Sequence, residues 1–326
     1  MEMRVLGRTG EPVGVVGLGA WQLGADWGEV GEDQAMRVLS AAADAGVTFI
    51  DTADCYGDGR SEQLIGRFLK SRDGVTVATK MGRRVMPQRP ENYTLDAFRD
   101  WTDRSRTNLG VDRLDLVQLH CPPSAVYSSD AVFDALDTLV GEGRVAAYGV
   151  SVETRAEALA AIARPGVATV QIILNMVRLG PLREVLPAAR EAGVGIIARV
   201  PLASGLLSGR YDEDTVFGAD DHRSFNRQGR AFDIGETFAG VDFATGLEAV
   251  RRLAPLVPAG TAMAQFALRW IIDQAGVSVV IPGARTPEQA RGNAAAADLA
   301  PLPREAMEAV TDVYDDLLAP QVAHRW

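Results

Sequence analysis

Residues 47–80 read VTFIDTADCYGDGRSEQLIGRFLKSRDGVTVATK. The stretch opens on an apolar run, Val47–Asp51, and continues through the amphipathic segment Glu62–Ser71. After Gly74 it closes on a second apolar run, Val75–Lys80. Short β-branched runs flanking a longer segment of helical period read as strand, helix, strand. A helical crossover between two strands implies that they lie parallel.

The same alternation extends outward in both directions. Val13–Leu18 precedes it, and Leu114–His120, Val145–Ser151, Ala168–Ile173, Gly195–Val200 and Val277–Pro282 follow. Helical stretches fall between them at Asp33–Ala45, Leu95–Leu109, Ser129–Gly141, Thr154–Ala163, Leu182–Ala192 and Thr261–Gln274. Gly46, Gly74, Gly110, Gly193 and Gly276 stand where a left-handed helix cap is needed. Eight strand–helix units predict an α/β fold, a (β/α)8 TIM barrel, in preference to an open doubly wound sheet. No linker or composition break divides the chain, so residues 1–326 are expected to form a single domain. Two features stand outside the repeat. The first residues, through about Thr9-Gly10, read as an N-terminal hairpin plugging the barrel floor. After the seventh strand, Ser204–Val241 is a long polar, Gly-rich loop, which in a compact domain is functional or disordered.

The formal net charge of −10 argues against nucleic-acid or anionic-membrane partners, which require a basic face. Only Cys55 and Cys121 are cysteines, too few for a disulfide scaffold. The N-terminus lacks a signal-peptide pattern, and no apolar run reaches the ~18 residues of a membrane span. A soluble cytoplasmic protein is expected. His222 and His324 have no ligand-like spacing, so no metal site is expected.

Active sites of TIM barrels lie at the C-terminal ends of the strands. The second strand ends in Asp51, with Tyr56 shortly after, the third in Lys80 and the fourth in His120. Lys80 stands out because only it and Lys70 are lysines among 33 basic residues. A tyrosine is a poor acid at neutral pH, since its pKa is about 10. A neighbouring ammonium lowers that value, so Lys80, held by Asp51, is expected to tune Tyr56. His120 is expected to donate a hydrogen bond to a substrate oxygen or relay a proton. Such a set suits protonation of an oxygen during carbonyl reduction.

On Phe49-Ile50-Asp51-Thr52-Ala53-Asp54-Cys55-Tyr56-Gly57, Ala78-Thr79-Lys80 and Leu119-His120-Cys121-Pro122, the chain resembles the aldo-keto reductase superfamily over nearly its whole length. The resemblance implies Tyr56 as general acid, Asp51 and Lys80 as its tuning pair, and His120 as orienter. It also implies direct hydride transfer from a nicotinamide dinucleotide to a small carbonyl substrate, without metal or flavin. No Gly-x-Gly-x-x-Gly follows the first strand, so a Rossmann mode is not indicated. By resemblance, Ser151, Gln171 and Asn175 bind the carboxamide. Pro201, Leu202, Ser204, Gly205 and Leu207 form the pyrophosphate loop. Gly283, Arg285, Gln289 and Asn293 hold the adenosine phosphate, with Arg285 selecting NADPH over NADH. Three positions depart from the family pattern. Val152 and Gly292 replace polar residues, and Arg199 stands where an aromatic stacks on the nicotinamide; it is expected to stack there or hold phosphate. Trp21 and Trp27 are expected to face the mouth, as cofactor contact or substrate wall. The tail Pro320–Trp326 and the cluster Asp221, His222, Arg223, Phe225, Asn226 and Arg227 are candidates to close over it. Two competing readings are a redox-sensing regulatory barrel with very slow turnover, and an aldolase-like barrel using Lys80 as a Schiff-base nucleophile.

Overall fold

The computed structural model describes residues 1–24 and 30–325. An antiparallel pair comes first, β1 (Met3–Val5) with β2 (Pro12–Gly14). Eight further strands follow: β3 (Leu18–Gly19), β4 (Phe49–Asp51), β5 (Thr76–Met81), β6 (Leu114–His120), β7 (Val145–Ser151), β8 (Val167–Ile173), β9 (Gly195–Arg199) and β10 (Val277–Val280). They form one parallel sheet in chain order. Its two edges meet. Val16 bridges Val280, Gly19 bridges Gly283, and the Gly17 amide donates to the Val280 carbonyl at 2.8 Å. The sheet is therefore curled until first and last strands touch, the arrangement of a barrel.

The helices α1 (Glu32–Asp44), α2 (Arg60–Leu69), α3 (Leu95–Leu109), α4 (Asp130–Gly141), α5 (Arg155–Ile162) and α6 (Pro181–Ala192) alternate with these strands. After β9 come α7 (His222–Phe225), α8 (Phe243–Leu253) and α9 (Met263–Ile272), and after β10 come α10 (Pro287–Ala294) and α11 (Arg304–Val313). All five glycines expected to cap helices have positive φ, from 68° at Gly110 to 105° at Gly276. None of the described helices is long and apolar enough to cross a membrane.

The first barrel strand departs from expectation. Val13 and Gly14 belong to β2 of the hairpin, and only Leu18–Gly19 remains as barrel strand. The apolar run Val13–Leu18 serves two sheets in succession, which its composition alone does not reveal. The hairpin reaches into the barrel through Leu6 and Val13, which pack with Phe49, Ala78, Leu116, Ile197, Val279 and Ile281. Arg8 ties it from outside, donating to the carbonyls of Arg164, Pro165, Val167 and Ala192. Gly7 between them has φ +53°, and a Cβ there would lie 2.0 Å from the Gly195 nitrogen.

That inner apolar cluster decides where the polar groups go. Side chains alternate along a strand, so residue i and residue i+2 share a face. Phe49 faces inward, hence so does Asp51; Ala78 implies Lys80, Leu116 implies Gln118 and His120, and Ile197 implies Arg199. Each larger apolar side chain buried in the lower layer contributes about 1.5–3 kcal/mol. Above it, at the strands' C-terminal ends, the same face turns polar.

The long connection after β9 is folded and not extended. Ser204 Oγ donates to the Glu236 carbonyl at 2.9 Å and accepts from the Phe238 amide at 3.2 Å, clipping the start of the loop to its end. Asn226 accepts from the amides of Ala231 and Phe232. Arg223 pairs with Asp221 and Tyr211, and Arg227 lies over the rings of Phe217, Phe238 and Phe243. The tail packs away from the mouth. Gln321 bonds to Thr245 at the start of α8, and Arg325 donates to the Gly240 carbonyl. No described residue of the tail lines either cavity at the mouth. Trp27 and Trp326 lie outside the described residues.

Candidate active site

The structure brings Asp51, Tyr56, Lys80 and His120 together. Lys80 is 1% exposed, and its ammonium donates to Asp51 Oδ1 at 2.5 Å, to the Thr52 carbonyl at 2.8 Å and to Tyr56 Oη at 3.3 Å. An ammonium has three donors, and here each has an acceptor. With all three bonds directed at protein oxygens, the nitrogen is not turned toward a ligand, which argues against the Schiff-base reading. Asp51 is equally engaged. Its Oδ2 accepts from Gln171 at 2.7 Å and from Gln118 at 3.2 Å. Strand register explains the convergence, since Lys80 pairs with Gln118, His120 with Ser151, and Ser151 with Gln171.

Because Tyr56 Oη accepts from Lys80, its own O–H is directed elsewhere. Burial first, and then the Asp51 carboxylate, push its pKa well above 10, while Arg83 pulls it down. The expected lowering by Lys80 is thus not the net effect, since burial outweighs it. Tyr56 is held as a neutral phenol with a proton to give. The Trp21 ring stacks on it at 6.1 Å and also meets His222 and Phe232, at 5.4 Å and 5.8 Å.

Two cavities share Trp21, Tyr56 and Glu236. The larger, about 710 Å³, extends from Asp51, Tyr56 and His120 to Arg285 and Gln289. Of the residues expected at a cofactor, it is lined by Trp21, Ser151, Gln171, Arg199, Pro201, Leu202, Ser204, Gly205, Gly283, Arg285, Gln289 and Asn293. Asn175 and Leu207 do not line it. Asn175 is buried, with Nδ2 on the Val200 carbonyl and Oδ1 on the Val177 amide; Leu207 is core. Both brace the turns beneath the groove. The side chains of Gln289 and Asn293 bond to the Arg285 amide and the Gly283 carbonyl, shaping this end of the groove.

A nicotinamide dinucleotide fits the residues present. Gln22 Oε1 is buried in the groove wall without a hydrogen-bond partner among the described residues. Gly283 lies so near Gln22 that a Cβ would come within 2.2 Å of its amide. The Arg285 side chain is exposed at the groove's end, and its backbone is bonded to Gln34 and Gln289. Val200, Ala203, Ser204 and Gly205 have positive φ, folding the proposed phosphate loop into a concavity. Val200 is β-branched, and such backbone costs about 1–3 kcal/mol unless its surroundings enforce it. Cys121, after His120, is similarly placed with φ 48°.

Arg199 lines the groove and is also held by two carboxylates. Its guanidinium is 9% exposed and pairs with Glu153 Oε2 at 2.8 Å and Glu236 Oε1 at 3.4 Å. Arg83 joins this cluster, 3.0 Å from Glu236 and 4.0 Å from Glu153. Burial raises the Glu153 carboxyl despite Arg199; at Glu236, Arg83 and Arg199 outweigh burial and hold the carboxyl low. Arg83, Glu153, Glu236, Gln118 and Gln22 were absent from the sequence-based site. Glu153 follows a strand end and Arg83 stands three residues past Lys80, so both left a weak signal; Glu236 left none.

The smaller cavity, about 510 Å³, carries Trp21, His222, Phe225 and Phe232 as walls and Cys55, Tyr56, Arg83 and Glu236 as its polar end. Of the expected loop cluster, His222 and Phe225 line it and Arg223 lines the larger cavity, whereas Asp221, Asn226 and Arg227 line neither. Burial first pushes both thiols, Cys55 and Cys121, up to about 12. Both are neutral; Cys55 lines the smaller cavity and Cys121 lines neither.

The model of the aldo/keto reductase family matches residues 15–315. The chain is 30% identical over 299 residues to the aldo-keto reductase YhdN of Bacillus subtilis, covering 89% of this chain and 86% of the relative. It is 28% identical over 284 residues to the Schizosaccharomyces pombe aldo-keto reductase yakc [NADP(+)], covering 84% and 81%. Among solved structures it resembles a glycerol dehydrogenase from Gluconobacter oxydans, with a TM-score of 0.78, 30% identity and coverage of 98% and 95%. A family match over most of the chain and a curled parallel sheet with a polar rim lead to one assignment: this oxidoreductase belongs to the aldo/keto reductase family.

Proposed function

We propose that the protein reduces the carbonyl of a small aldehyde or ketone to an alcohol, with NADPH as hydride donor and Tyr56 as general acid. The observation that carries this reading is the saturated ammonium of Lys80, bonded at once to Asp51, the Thr52 carbonyl and Tyr56 Oη. It fixes the phenol oxygen where the two cavities meet and leaves its proton free to face a ligand.

NADPH, when bound, supplies the hydride; Trp21, Ser151 and Gln171 line the groove's inner end and Arg285 its outer end. As negative charge grows on the substrate oxygen, Tyr56 delivers its proton there. Lys80 then faces the nascent phenolate, which it stabilises by charge. Trp21 and Phe232 enclose the substrate's apolar part and exclude water. The exposed Arg285 guanidinium matches a 2′-phosphate by its planar fork, and the name of the yeast relative, which specifies NADP(+), agrees with that choice. The hairpin seals the opposite end of the barrel.

An NADPH-oxidation screen over aldehydes, ketones and sugars, run beside Tyr56→Phe, tests the reading. The variant is expected to bind NADPH normally and lose about 10²–10⁴-fold in kcat. Unchanged turnover in Tyr56→Phe removes the general-acid assignment. Very slow turnover of every carbonyl despite tight NADPH binding favours a sensing role instead.

A further inference from the structure

His120 stands in the mouth with both ring nitrogens engaged. Nδ1 lies 3.6 Å from Cys55 Sγ, and Nε2 lies 3.3 Å from Arg83 Nη1. A guanidinium has five donors and no acceptor, and it does not deprotonate in proteins. The nitrogen facing it must therefore offer a lone pair. The ring proton is left on Nδ1, directed at the sulfur. Burial first, then the charges of Arg83, Lys80 and Arg199, hold the imidazole pKa well below 6.5, so the ring is neutral. In this state His120 has no Nε2 proton to give to a substrate oxygen.

The donor at that place is Arg83. Its other terminal nitrogen is anchored on Glu236 at 3.0 Å, and Glu236 is itself gripped by Arg199. The guanidinium is held from two sides yet is still 25% exposed, against 9% for Arg199 and 5% for Glu236. It lines the smaller cavity together with Tyr56 and Trp21.

We propose that Arg83 is a catalytic residue of this oxidoreductase, donating a charged hydrogen bond to the same carbonyl oxygen that Tyr56 protonates, and that His120 is a positioning residue which orients the guanidinium through its Nε2 lone pair. The inference rests on the carbonyl-reductase reading above. No proton leaves Arg83 in the reaction. The carbonyl carbon takes the hydride, the oxygen takes the Tyr56 proton, and the guanidinium stabilises the charge between those events. A fixed cation–oxygen hydrogen bond in a water-poor site is worth about 10²–10³-fold in rate.

Two experiments test it. The first is 15N NMR of histidine-labelled protein, which has only His120, His222 and His324 to resolve. The His120 signals, identified by their loss in His120→Asn, are expected to show a neutral ring protonated at Nδ1, and Arg83→Met is expected to change that tautomer balance. A wild-type ring protonated at Nε2 overturns the proposal without touching the general-acid role of Tyr56. The second is kinetic. Arg83→Met is expected to lower kcat about 100-fold or more with NADPH binding unchanged, Arg83→Lys to recover part of it, and added guanidinium ion to rescue Arg83→Met. Full kcat in Arg83→Met, or no difference between the Lys and Met variants and no rescue, overturns it. If Arg83→Met does not fold, the wild-type tautomer and the Arg83→Lys rate decide. Loss of the whole carbonyl-reductase reading would register separately, as unchanged turnover in Tyr56→Phe.

Discussion

The Asp51–Lys80–Tyr56 cluster and the Arg83–His120–Glu236–Arg199 cluster occupy one barrel mouth, but they are assembled differently. The first is set mainly by strand ends: Asp51 and Lys80 are inward positions on adjacent parallel strands, and Tyr56 follows β4 closely. Its partners lie 29 and 24 residues apart. The second draws on the loop after β5 and the long connection after β9, and its Arg83–Glu236 bond spans 153 residues. The first is rigid because every donor of Lys80 is used. The second is an exchangeable network in which each carboxylate meets more than one cation. The difference suggests a division of labour, with proton delivery fixed by the sheet and substrate orientation set by the loops.

The comparison breaks most readily at Lys80. Lys80→Met leaves Asp51 buried without its cation and is expected to cost about 3–5 kcal/mol in urea unfolding, besides abolishing most turnover. In the second cluster, Glu236→Gln keeps the shape and one acceptor for Arg83, and Arg199 still has Glu153. We expect a loss of about 1–2 kcal/mol in stability, with KM affected more than NADPH binding. Equal destabilisation by both substitutions would dissolve the distinction between rigid and exchangeable clusters.

Acid titration sharpens it further. His120 lies in the mouth and His222 in the loop that covers it, and burial first lowers both, His222 to about 4. The unfolded chain, with histidine pKa about 6.5, binds protons that the folded chain refuses. The stability these neutral rings confer is therefore complete above pH 6.5 and lost as pH falls, through about 4 for His222. His222→Gln is expected to flatten that loss by on the order of 3 kcal/mol, read from unfolding free energies at pH 7 and pH 4. An unaltered pH dependence would place the histidine's proton uptake elsewhere. A further effect, on binding alone, is expected remote from both clusters. Arg285→Ala should weaken NADPH by about 10–100-fold, the value of one or two charged hydrogen bonds, and leave NADH binding unchanged. Equal loss for both cofactors would remove the 2′-phosphate contact.

Much of this was legible beforehand, because side-chain parity along a strand is local. An apolar run ending in a charged residue identifies both the strand and the mouth, which is why Asp51, Lys80 and His120 could be placed together. Parity does not say which apolar run feeds which sheet, so Val13 and Gly14 were assigned to the barrel while they belong to the hairpin. Nor does it give a side chain's partner. Its position at a strand end places Arg199 on the groove, but the ion pairs with Glu153 and Glu236 have no signal in the pattern. Asn175 was likewise near the groove by position, but its amide is bonded to backbone.

The sequence by itself determined the alternation of strand and helix and the polar upper layer of the barrel, with Asp51, Lys80 and His120 on it, since these follow from periods of two and of about 3.6 residues. Only the tertiary structure decided the electrostatic state of that machinery. Burial reversed the expected direction for Tyr56, and the arrival of Arg83 at Nε2 fixed the His120 tautomer. Both depend on desolvation and on groups brought from distant loops, and neither quantity is encoded in local pattern.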